Sequence, residues 1–138
     1  GLCGLLREGV RAVREYAPGA EVMLHVALGG QAEESQRFFD AMNEYGVEYD
    51  IIGQSYYPEW HGTLEELEAN TNALVLKYNK PLIVVEYRDH YLDIERIVSS
   101  LPNGLGRGTF IWEATSPQWG KLFDESGATT EAIRAYNR

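Results

Sequence analysis

Glu86 ends the run Pro81-Leu82-Ile83-Val84-Val85-Glu86, so an apolar stretch stops on a carboxylate. Taking such a group out of water costs on the order of several kcal/mol unless it is paired. Two uses fit the position. One is structural, as an ion-pair partner or helix-cap acceptor. The other is as an acid, base or nucleophile. A second concentration of chemistry lies in DIIGQSYYPEWHG, residues 50–62. There Ile51, Ile52 and Gly53 lead into Gln54, Ser55, Tyr56, Tyr57, Trp60 and His61. Trp112 and Glu113 close the stretch RGTFIWE, and His25 lies inside EVMLHVAL. Taken singly, each has an ordinary use as core, cap or ion pair. Together, tryptophans beside carboxylates suit a sugar. The apolar C–H face of a pyranose packs on an indole, and its hydroxyls need donors and acceptors nearby. Tyr56 and Tyr57 are adjacent, so at most one of them points into such a site.

The elements that must position these groups follow from apolar spacing. Leu2, Leu5, Leu6, Val10 and Val13 mark one face of a helix over 2–16, stopped by Pro18-Gly19. Residues 21–28 read as a buried strand, with Gly29-Gly30 as a turn after it. A helix is expected at about 33–45, with Glu33 and Glu34 in its first turn and Gly46 as its stop. A strand follows at about 48–53. Thr63 with Glu66 three residues on is a capping box that opens the next helix. PLIVVE is apolar on both faces, as a parallel strand covered by helices requires. Ile94, Ile97, Val98 and Leu101 mark a further helix, and a strand at about 107–113 and a short helix at about 130–136 complete the chain. Asp89 reads as a helix N-cap in preference to a metal ligand beside His90 and Asp93.

Strands thus begin near 21, 48, 81 and 107, a period of roughly 30 residues, that of repeated βα units with parallel strands. An open doubly wound sheet accepts this order, and so does part of a (β/α)8 barrel. In both, ligands bind at the carboxyl ends of the strands, and the polar and aromatic residues above all fall there. No comparable cluster appears at the strand starts.

The 138 residues suffice for one domain over 1–138. The formal net charge of -9 and the lack of a Lys/Arg run argue against nucleic acid and an anionic membrane surface as partners. The apolar runs are too short for a membrane span, and no signal peptide is legible at the start. The single cysteine, Cys3, permits no intrachain disulfide and reads as a small helix residue.

The stretch DIIGQSYYPEWHGTLEELEANTNALVLKYNKPLIVVE resembles the hallmark region of glycoside hydrolase family 53, the endo-β-1,4-galactanases that act on pectic galactan. EVMLHVA is similar to that family's fifth strand, GRGTFIWE to its eighth, and KLFDESGATTEAI to its C-terminal end. The resemblance implies a partial (β/α)8 TIM barrel: the fourth helix plus the last four βα units. It implies a retaining glycosidase with Glu86 as nucleophile, hydrogen-bonded by Tyr56 or Tyr57. It implies sugar subsites lined by His25, Tyr56, Tyr57, Trp60, His61, Trp112 and Glu113.

The same resemblance puts the acid/base residue upstream, on a strand absent from this chain, so the 138 residues alone are expected to be inactive or nearly so. It implies a secreted protein with galactan as ligand and the N-terminal barrel half as partner. No cofactor is expected. Some relatives hold calcium in the loop after the nucleophile, but here Tyr87-Arg88-Asp89-His90-Tyr91 replaces the usual Thr-Ala-Tyr-Pro-Trp, and calcium is not supported. Ala114-Thr115 likewise stand where the family has Pro-Ala. Two alternatives stay open: a non-catalytic half-barrel that forms a homodimer or binds carbohydrate, and an independent α/β domain with an unrelated ligand.

Overall fold

The computed structural model describes residues 1–136. Its elements run α1 (Leu2–Tyr16), β1 (Met23–Val26), α2 (Ala32–Glu44), β2 (Ile51–Ser55), α3 (Pro58–His61), α4 (Leu64–Tyr78), β3 (Leu82–Glu86), α5 (Tyr91–Ser99) and β4 (Gly106–Thr109). Short 3-10 turns occupy Pro102–Gly104 and Glu131–Tyr136, the latter where a short closing helix was expected. The four strands form one parallel sheet in the order β1-β2-β3-β4. Parallel neighbours need a crossover each, and the helices supply it.

The helices exist for the reasons the spacing gave. Thr63 Oγ1 accepts from Glu66 N–H, and the Glu66 carboxylate accepts from Thr63 N–H, which completes the capping box of α4. Asn79 ends α4 in a left-handed conformation. At the start of α5 the expectation fails. The N-cap position is His90, at φ 59°, with no side-chain cap bond, while Asp89 instead pairs with Lys121 and Arg88.

The core lies on one side of the sheet. Phe39 and Met42 from α2, Leu67, Leu74 and Val75 from α4, and Ile94, Ile97 and Val98 from α5 pack on Leu24, Ile52, Leu82 and Val84. The opposite face is only partly covered among the described residues: Met23, His25 and Phe110 are exposed, and Ile83 and Val85 are half-buried. PLIVVE was expected to be covered on both faces, and here helices cover one. Strand β4 is also shorter than the expected 107–113. Yet Phe110 and Trp112 still donate backbone N–H bonds to Val84 and Tyr87, so the chain stays alongside β3 beyond the last regular pair.

Arg14 fastens α1 to the sheet through a two-oxygen contact with Asp50 at 2.8 and 2.9 Å. The Val22 backbone N–H and then Arg14 hold the Asp50 carboxyl below the usual carboxylate range. Tyrosines carry an opposite shift. Burial pushes the phenols of Tyr49, Tyr57 and Tyr91 up to about 12. An unfolded tyrosine releases its proton near pH 10. Between about pH 10 and 12 the fold therefore binds more protons than the unfolded chain, so stability is complete below about pH 10 and falls as pH rises towards 12. The expected thermal midpoint is flat from about pH 8 to 9.5 and drops steeply above about 10. A scan of melting temperature against pH checks this, and a flat profile to pH 11.5 or so contradicts it.

Candidate active site

A shift in strand pairing sets up the carboxyl rim. Val26 lies opposite Gln54, and Gln54 opposite Val84, but Ser55 lies opposite Glu86, one residue further on than regular pairing would give. Strand side chains alternate between faces, so a regular β3 would send Glu86 to the same side as buried Val84, under the helices. The extra residue re-aims it to the side of Ser55. The Tyr56 N–H to Glu86 C=O bond, at 2.8 Å, holds the two strand ends together at that point.

Glu86 Oε2 accepts from Ser55 Oγ at 3.1 Å, and Tyr57 Oη stands 3.4 Å from the same oxygen. His25 Nε2 lies 2.6 Å from Ser55 Oγ. Burial raises the Tyr57 phenol first, and the negative charge and hydrogen bond of Glu86 raise it further. Tyr57 thus remains a donor throughout the ordinary pH range. Glu86 faces a cleft of about 260 Å³ walled by Tyr57, Trp60, Arg88, Trp112 and Trp119. Trp60 is 64 % exposed and Trp112 44 %, so both offer ring surface to solvent. Larger hollows exist, for instance around Arg14, Asp50 and Lys80 at the strand starts, but that one has no tryptophan in its wall.

The lip after β2 is built with little slack. Gly29 N–H donates to Ser55 C=O at 3.0 Å, and a Cβ on Gly29 would sit 2.7 Å from that oxygen. A Cβ on Gly30 would come within 2.1 Å of His61 C=O. The two glycines are a turn, as expected, and also the surface on which the aromatic lip rests. Behind them, Asn70 of α4 donates to Leu28 C=O, Gly29 C=O and Ser35 Oγ at 3.2, 2.7 and 3.1 Å. Gln54 Nε2 donates to the same Ser35 hydroxyl at 3.2 Å.

Of the residues singled out from sequence, Glu86, Tyr57, Trp60 and Trp112 meet at the cleft. His25 reaches it through Ser55. Glu113 is exposed at φ 46° in the turn beyond Trp112, close enough to Tyr57 for its charge to act on the phenol. Tyr56 and His61 depart from the expected positions. Tyr56 is 1 % exposed, and its hydroxyl donates to Gly62 C=O at 3.0 Å, away from the cleft. His61 is 7 % exposed, and its Nδ1 accepts from Tyr57 N–H at 3.0 Å. It braces the lip from behind. Burial holds the imidazole below its ordinary pKa, against weaker opposing effects of the Ser55 backbone and nearby carboxylates.

Ser55 was named on the rim but given no role, and two further residues of the site, Arg88 and Trp119, were not picked out. The Arg88 guanidinium lies 5.7 Å from the Tyr57 ring centre and 5.1 Å from that of Trp119, and it pairs with Glu59 at 2.5 Å. The available signal for Arg88 was its place two residues after an apolar strand, within a stretch that breaks the expected Thr-Ala-Tyr-Pro-Trp pattern.

A family model described as glycosyl hydrolase family 53 matches residues 1–96. The chain is 35% identical over 149 aligned positions to a Niallia circulans protein described as "Uncharacterized protein in bgaB 5'region", covering 84% of this chain and 40% of that protein. It is 36% identical to the endo-beta-1,4-galactanase of Bacillus subtilis (strain 168), over 62% of this chain and 20% of that enzyme. It is 40% identical to the arabinogalactan endo-beta-1,4-galactanase of Cellvibrio japonicus (strain Ueda107), over 59% of this chain and 23% of that enzyme. Among solved structures, the Ignisphaera aggregans GH53 catalytic domain superposes with a TM-score of 0.86 at 23% identity, covering 97% of this chain and 51% of the other. A fungal beta-1,4-galactanase superposes with a TM-score of 0.86 at 18% identity, over 99% and 54%. These two establish the fold, that of a TIM barrel of which the chain spans about half, while it spans 40% or less of the curated relatives.

Proposed function

Because the chain belongs to glycosyl hydrolase family 53, we propose that it is the nucleophile-bearing part of a secreted, retaining endo-β-1,4-galactanase acting on pectic galactan. The observation that carries this reading is the Glu86 carboxylate at a strand end, with Ser55 and Tyr57 on one oxygen and a tryptophan-lined cleft in front of it. In a retaining reaction the carboxylate forms a bond to the anomeric carbon as the glycosidic C–O bond breaks. The leaving oxygen takes a proton from a second carboxylic acid about 5–5.5 Å from the first, and water then releases the sugar. The acid is assigned to the barrel half outside these 138 residues, in line with the short span of the relatives that the chain covers. The names of the B. subtilis and C. japonicus relatives support the choice of galactan.

A sugar with a dinitrophenolate leaving group needs no acid, because that group departs as an anion. An aryl 2-deoxy-2-fluoro-galactobioside should therefore label the 138-residue chain covalently, and peptide mapping should place the sugar on Glu86. Galactan itself should be cleaved only when a chain carrying the other barrel half is added. No labelling, or labelling elsewhere, counts against the nucleophile.

Trp60 and Trp112 are assigned to sugar stacking. Trp60→Ala removes an exposed ring, so the fold should persist. Galactobiose affinity should fall roughly tenfold, or about 1.4 kcal/mol. Equal affinity, measured by titration calorimetry, would take Trp60 out of the subsite.

A second reading has its own observation. Strands β1 and β4 are both unpaired edges among the described residues, and the sheet face bearing Met23, His25 and Phe110 is exposed. Such a sheet invites completion, by the other half or by a second copy. Sedimentation of the chain alone distinguishes them: a dimer that binds galactobiose without being labelled favours a self-associating carbohydrate binder.

A further inference from the structure

The contacts behind Glu86 assign roles to two residues whose chemistry the proposed reaction does not itself specify. Ser55 has one hydroxyl hydrogen and two neighbours that could use it. Glu86 Oε2 is at 3.1 Å and His25 Nε2 at 2.6 Å. If the hydrogen pointed to His25, the Ser55 and Glu86 oxygens would face each other as two acceptors. If it points to Glu86, the Ser55 lone pair is free to accept from an Nε2–H of His25, and every atom is satisfied. The imidazole is then fixed with its hydrogen on Nε2.

The strands are arranged for this contact. His25 on β1 lies in register with Gly53 on β2, one side-chain repeat short of Ser55 on the same face. Gly53 has no side chain, and a Cβ there would meet Met23 Sδ at 3.0 Å and His25 Cα at 3.3 Å. The imidazole can therefore lean along the sheet towards Ser55. The one-residue advance in pairing then puts Ser55 directly opposite Glu86.

Resting on the proposed function, we infer that His25 and Ser55 are positioning residues for the nucleophile. They form a two-bond relay that, with Tyr57, holds Oε2 and leaves Oε1 as the atom that attacks the anomeric carbon. Among the described residues, Oε1 receives no protein donor, whereas Oε2 is approached by two. His25 thus acts through Ser55 and not as a wall of a sugar subsite.

The test uses the 138-residue chain, the dinitrophenyl 2-deoxy-2-fluoro-galactobioside and two readouts. Ser55→Ala should slow labelling at saturating probe by about tenfold or more, with the half-saturating concentration within about twofold of the native value. His25→Phe keeps a ring but no donor and should show the same loss, while His25→Gln keeps an N–H near the Nε2 position and should recover most of it. The Ser55→Ala/His25→Phe double variant should be no slower than Ser55→Ala, because the two act as one unit. Multiplying losses, or a change confined to half-saturation, overturns the relay. The second readout is the 15N spectrum of the His25 ring. The relay requires a hydrogen-bonded Nε2–H that loses its bond in Ser55→Ala. A ring protonated on Nδ1 alone, or one indifferent to Ser55→Ala, overturns the relay even if the native chain labels. A native chain that never labels, but shows the bonded Nε2–H and its loss, keeps the relay and removes the galactanase reading.

Discussion

Glu86→Gln should abolish covalent capture of an activated galactoside and, in the completed barrel, hydrolysis of galactan. Deleting a covalent nucleophile typically lowers turnover by roughly 10⁴-fold or more. The amide is nearly the same shape as the carboxylate, and its oxygen can still accept from Ser55 and Tyr57, so the lip should keep its geometry. What it loses is the anion that the proposed reaction bonds to carbon. The half-buried strand end also no longer needs to hold a charge away from water, so the thermal midpoint should stay level or rise. The measurement is labelling followed by intact mass, beside a melting curve. Labelling at the native rate would remove Glu86 from the reaction, and a collapsed melting curve would show that the carboxylate holds the fold together.

The largest expected effect on stability lies behind the cleft. Asn70 is fully buried, and its amide group serves two carbonyls on the segment between β1 and α2 and the Ser35 hydroxyl in the first turn of α2. Asn70→Ala takes that donor from Gly29 C=O, while Leu28 C=O keeps the Gln31 N–H and the Ser35 hydroxyl, and it opens a small void. The expected loss is about 2–4 kcal/mol. Urea unfolding should show a lower midpoint with an unchanged slope. Asn70→Asp keeps the shape but turns acceptors towards acceptors, and should cost at least as much. A loss below about 0.5 kcal/mol in both would mean that water replaces the amide without penalty. Gly29 N–H is bonded to Ser55 C=O, so the same change should loosen the strand end beside Glu86.

Much of this arrangement is legible in the residues. Apolar spacing gives the order of helices and strands, Thr63 and Glu66 give the start of α4, and the βα period places Glu86, Tyr57, Trp60 and Trp112 on one rim. The parity of Tyr56 and Tyr57 correctly leaves room for only one of them in the cleft. What is not legible depends on pairing between strands. Alternation counted along β3 alone turns Glu86 towards the helices, and only its register against β2 brings it to Ser55. Tyr56 and His61 look like sugar contacts because they stand among aromatics in the chain. Their own polar atoms instead satisfy Gly62 and Tyr57 of the same lip, which no sequence pattern displays. Arg88 and Trp119 lie 31 residues apart in the numbering and meet only through the turns that follow β3 and β4.

The additional residue in β3 also governs which evolutionary changes this rim can absorb. Exchanging Val85 for another aliphatic residue preserves the phase of the strand. Shortening the segment between Ile83 and Glu86 by one position does not, because it rotates the carboxylate half a turn, away from the tryptophan-lined cleft and into the hydrocarbon layer. Insertions and deletions at this point should therefore be silencing even where substitutions are mild.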